Sequence, residues 1–105
     1  MSTPVPDMFE ERRTVSRKTR VDGKLEISAG AAGRLPAAGR FPLTLDGEPG
    51  EASLVSFPCT CRAEPHEHYF IEGQLLRALA PTSEVVVRIP PDGRSVAVER
   101  TGEPR

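Results

Sequence analysis

Tryptophan is missing from the chain, tyrosine occurs once and phenylalanine four times, so aromatic residues make up only 5% of its 105 positions. A core must therefore be assembled mainly from Val, Leu, Ile, Ala and the four Phe. At this length there is room for one compact domain, burying roughly two thirds of its unfolded surface. No apolar run approaches the ~18 residues needed to cross a bilayer. The opening MSTPVPDMFEERR has no apolar signal core, so the expected setting is cytoplasmic, without membrane association. Glycine-rich phosphate loops, Gly-x-Ser-x-Gly and His-Glu-x-x-His are also absent, and the acidic residues form no evident pair. These absences favour a non-catalytic binding module over an enzyme. Cysteine is scarce as well. Cys59 and Cys61 lie two apart, a spacing of roughly 6.5–7 Å along a strand, which is poor for a disulfide, so free thiols or metal ligands are the better readings.

Glycine and proline, by contrast, are plentiful. With 9 Gly and 11 Pro, the chain demands many turns and short elements. The net charge of −1 conceals an asymmetry: residues 1–40 hold eight Arg and Lys against five Asp and Glu, and residues 41–105 hold six against ten. Arg12, Arg13, Arg17, Lys18, Arg20 and Lys24 cluster around a single Asp22. Such a basic stripe suits phosphate binding, and it equally suits a solvated edge strand blunted against aggregation.

Residues 1–11, with little periodicity, are expected to form a flexible arm, residues 12–100 a single domain, and 101–105 a flexible C-terminus. Val15, Thr19 and Val21 alternate weakly over 13–21, and Asp22-Gly23 then signals a hairpin into Leu25 and Ile27, with Val21 opposite Leu25. Ser28 to Pro36 admits at most one helical turn. Phe41, Leu43 and Leu45 mark a strand, and 53–61 and 66–71 mark two more. A second short helix follows over 73–81, with Leu75, Leu76 and Leu79 at helical spacing. The last hairpin turns at Asp92-Gly93 and pairs Val87 with Val98.

Laid out in order, LEISAGAAGRLP with FPLTLDGEPGEASLV, and HYFIEGQLLRALAP with EVVVRIPPDGRSVAV, each read strand, short helix, Leu-Pro stop, strand, Asp-Gly turn, strand. Two such units plus the first strand make an all-β fold, a seven-stranded pseudobarrel with two short helices. HYFIEGQLLRALAPTSEVVVRI and RLPAAGRFPLTLDGE together resemble the DNA-binding pseudobarrel family, which includes the plant B-three transcription-factor domain and the DNA-reading domains of some restriction endonucleases. That resemblance, over residues 24–100, implies nucleic acid as the partner, gripped in its major groove by two arms on one side of the barrel. The first arm would fall near Arg17–Lys24, with Arg34 adjacent. The second would fall on CTCRAEPHEH, carrying Arg62 beside Glu64 and Glu67.

CTCRAEPHEH also holds every Cys and every His of the chain. Cys59, Cys61, His66 and His68 form a Cys₂His₂ set, the donor chemistry of a closed structural zinc site. A four-residue loop, 62–65, would set Cys61 across from His66, Cys59 across from His68 and Phe57 opposite Phe70, with all of them on one face and continuous with the core. Two alternatives stand beside the zinc clasp. The four residues are ordinary neighbours at a barrel rim, or one thiol is activated by a neighbouring imidazole, as in a small thiol- or metal-dependent enzyme. A zinc-clasped scaffold for a protein partner, without nucleic acid, is the competing function.

Overall fold

A computed structural model describes residues 8–59 and 66–101. Among these, seven strands form one sheet in the order β1-β6-β7-β3-β4-β5-β2. The strands are β1 (Phe9–Thr14), β2 (Lys24–Ile27), β3 (Arg40–Leu45), β4 (Glu48–Cys59), β5 (His66–Glu72), β6 (Glu84–Ile89) and β7 (Val96–Arg100). The sheet curls into a nearly closed barrel around Leu25, Ile27, Leu43, Ile71, Leu76, Leu79, Val85, Val87, Ile89 and Val98, all at or near complete burial. The ladder is antiparallel except between β3 and β7, which run parallel.

The expected double unit is present. β2, a helical turn α2 (Ala29–Ala32), β3 and β4 form one copy; β5, a 3₁₀ turn η1 (Gln74–Ala78), β6 and β7 form the other. In each copy the helical turn is followed by a buried leucine, Leu35 in the first and Leu79 in the second, and both join the same core. Ser28 caps α2 by accepting the Ala31 N–H at 3.1 Å. The β6–β7 hairpin takes the register its apolar residues require, Val87 facing Val98. Its turn depends on Gly93: φ is +64°, and an added Cβ would lie 2.1 Å from the Arg34 carbonyl oxygen, so the turn packs directly on the exit from α2.

Two expectations change. Residues 13–21 are not one strand. β1 begins earlier, at Phe9, within the stretch expected to be an arm, and ends at Thr14; Arg17–Asp22 then form a short helix, α1. Accordingly β1 does not pair with β2 through an Asp22-Gly23 hairpin. It pairs with β6, Phe9 facing Ile89, and Val21 is exposed rather than opposed to Leu25. Val15 and Thr19 are both buried, and their spacing of four suits a helical face as well as alternation suits a strand. The ends decide the outcome. The Ser16 N–H donates to Thr19 Oγ1 at 3.4 Å, and the Gly23 N–H closes the helix on the Thr19 carbonyl at 2.8 Å. Gly23 takes φ +72°, the left-handed C-terminal geometry glycine favours.

The second change is in the β4–β5 register. Cys59 faces His66, Phe57 faces His68 and Val55 faces Phe70, a slip of two residues from the expected pairing. The connection therefore spans 60–65, and Cys61 and Arg62 lie outside the described residues.

Candidate nucleic-acid interface

Alternation along β4 and β5 sorts their side chains onto two faces. Ala52, Ile71 and the partly buried Leu54 and Tyr69 meet the core. Phe57, His66, His68, Phe70 and Glu72 take the opposite, outer face, together with Lys24 and Glu26 of β2. The expected continuity of Phe57 with the core is thus reversed: Phe57 is 44% exposed. Its ring meets Phe70 edge-on, with centroids 5.7 Å apart. Two lysines flank this pair, the Lys18 ammonium 4.9 Å from the Phe70 centroid and the Lys24 ammonium 5.7 Å from that of Phe57.

The helix α1 crosses this face and leaves a recess at each end. The recess at its N-terminal end, about 360 Å³, is walled by Ser16 and Lys18 on one side and by Phe57, Pro58, His68, Phe70 and Glu26 on the other. Here the barrel wall thins to two strands, because Phe57–Cys59 pair only with β5 and His66–His68 only with β4. The recess at the C-terminal end is larger, about 580 Å³, but is lined by Asp22, Glu51 and Glu72 with Arg40. Arg40 is bonded to Glu51 at 3.2 Å and Lys24 lies 3.6 Å from Glu72, so with Asp22 that recess keeps an excess of negative charge and offers anions no unpaired cation among its described lining residues.

The expected basic residues do not form one stripe. Arg12 lies on β1, 3.7 Å from Glu84. Arg13 faces Val85 across the β1–β6 ladder. Lys24 is 3.6 Å from Glu72, its side chain 19% exposed, and Arg34 stacks on Phe9 with 4.9 Å between guanidinium carbon and ring centroid. Arg17, Lys18 and Arg20 share α1 and are exposed, with no ion pair among the described residues. On the far strands Arg88 bonds Glu10 and Glu99. Its hydrogen bond to Glu10 first, and that to Glu99 second, hold its guanidinium pKa above the ordinary value.

Of the expected zinc ligands, Cys59 stands across the ladder from His66, and the His66 and His68 rings meet edge-on, their centroids 4.9 Å apart. The Nδ1 of His68 is 2.7 Å from Glu26 Oε2, an outer carboxylate contact of the kind that orients a metal-binding imidazole. The described residues contain no group of three or more metal-ligating side chains. They also contain no helix long and apolar enough to cross a membrane.

No protein-family model matches the chain, and no curated protein is similar enough to count as a relative.

Proposed function

We propose that the chain is a non-catalytic DNA-binding module of the pseudobarrel type, gripping duplex DNA between α1 and the two-stranded tip of the β4–β5 hairpin. One observation carries the reading: the cationic helix and the hairpin, 40 residues apart in sequence, flank the same recess on one side of the barrel. A major groove admits a helix or a two-stranded ribbon. Arg17, Lys18 and Arg20 supply phosphate contacts, while Asp22, Glu51 and Glu72 at the opposite end of α1 turn the nucleic-acid backbone away. The backbone therefore lies over the N-terminal end of α1. Arg12, Arg13, Lys24, Arg34 and Arg62 complete the basic set of this reading, and its setting is the cytoplasm, where thiols stay reduced. A zinc ion held by Cys59, Cys61, His66 and His68 would clasp the hairpin and aim Arg62.

The test is a salt titration of duplex binding. Apparent affinity falls linearly with log salt, by about 0.9 in slope for each phosphate contact. Changing Arg17, Lys18 and Arg20 to Ala together should weaken binding to every sequence and flatten that slope. A protein that binds neither duplex nor single strand at low salt would instead be the scaffold for a protein partner.

A further inference from the structure

We infer that the recess between α1 and the hairpin tip holds one unstacked nucleobase, seated on Phe57 with its phosphate toward Lys18. The inference rests on the DNA-binding reading and deepens it by naming the chemical group taken up. Among the large apolar residues exposed on the described surface, Met8, Val21 and Phe57, only Phe57 is aromatic. Phe70 braces its ring edge-on, and the ring lines the recess, where it offers a stacking surface. Every nucleobase offers a π face to such a ring, and stacking tolerates any sequence. A recess of about 360 Å³ sits at the lower end of the ~300–1,000 Å³ typical of ligand pockets, a size that suits one nucleoside.

Polar groups stand where a seated base needs them. Glu26 Oε2 is engaged by His68, leaving Oε1 as an acceptor on a side chain that is 43% exposed. Cytosine, adenine and guanine carry an exocyclic amino group that donates to such a carboxylate; thymine has none. Lys18, on the facing wall, supplies the countercharge for the attached phosphate. A base must leave its stack to enter, and that costs least in single strands and at unpaired positions.

The experiment uses the full chain with three labelled DNAs: a perfect duplex, the same duplex with one unpaired cytosine, and the corresponding single strand. Affinities are read by anisotropy, and 2-aminopurine beside the unpaired position reports unstacking. The unpaired duplex and the single strand should bind more tightly than the perfect duplex, and oligodeoxycytidylate more tightly than oligothymidylate. Phe57→Ala should cost about 5- to 100-fold in single-strand affinity and erase the preference for the unpaired site, with Phe57→Trp restoring both. Phe57→Leu, which keeps apolar bulk without a π face, should behave as Phe57→Ala at an unchanged melting temperature. If Phe57→Ala and Phe57→Leu bind single strands as the wild type does, or if the unpaired cytosine confers no advantage, the base site is overturned while duplex binding with its salt slope stands. Failure to bind any nucleic acid overturns both.

Discussion

Cys59 pairs with His66 across the ladder, and His68 Nδ1 lies 2.7 Å from Glu26 Oε2. In the zinc reading Cys59, His66 and His68 are joined by Cys61, which lies outside the described residues. The purified protein should then contain about one equivalent of zinc, and removing it with a chelator should lower the melting temperature. Cys61→Ser should release the metal while leaving the distant β6–β7 hairpin folded. Glu26→Gln alters no ligand, yet it should weaken zinc binding by roughly 10–100-fold, because His68 loses its orienting carboxylate. Metal-free protein whose stability ignores chelator, with thiols that react freely in the native state, would leave four ordinary neighbours at the rim.

At the scale of elements, the repeated unit makes Leu35 and Leu79 equivalent: each follows a helical turn, precedes a proline stop and is buried in the common core. Truncating either to Ala should cost on the order of 2–4 kcal/mol, measurable by urea denaturation. A loss at Leu79 with none at Leu35 would mean that the two turns play different parts. These units were legible in the sequence because Leu-Pro stops, Asp-Gly turns and runs such as Val85–Val87 allow few other arrangements. The β4–β5 register was not, for a physical reason. A slip of one residue turns every side chain to the other face and is punished by burial, but a slip of two leaves every face intact. Leu54 and Val55 are also both apolar, so the pattern alone does not say which face is the core, and it places the exposed Phe57 on the wrong one. α1 was missed because six residues are too few to establish a period; only its boundary residues, Ser16 and Gly23, set it apart from a strand.

For the whole molecule, the decisive feature is where the barrel fails to close. β1 and β2 are the two ends of the sheet and do not pair, leaving a seam that α1 spans as the chain passes from one edge to the other. A carboxylate bridges the gap: Glu11 of β1 accepts the Ser28 N–H at 3.0 Å and the Ser28 hydroxyl at 2.6 Å, just beyond the end of β2. Arg34 packed on Phe9 adds a second tie between β1 and the exit from α2. Hydrogen bonds to a charged group contribute about 1.5–3 kcal/mol each. Both of these share one partly exposed carboxylate, so Glu11→Ala should destabilise the protein by roughly 1–3 kcal/mol. Glu11→Gln, which keeps an acceptor but not the charge, should cost less. The loss should be local before it is global. Amides of β1 bonded to β6 should exchange faster with solvent, while β3 and β4, joined on the far side of the barrel, keep their protection. Because β1 leads directly into α1, a loosened seam also loosens the placement of Arg17, Lys18 and Arg20, and on the proposed DNA-binding reading duplex affinity should fall although none of these three residues has been changed. Unchanged stability and unchanged β1 exchange in Glu11→Ala would show that α1 and the core hold the seam without the carboxylate.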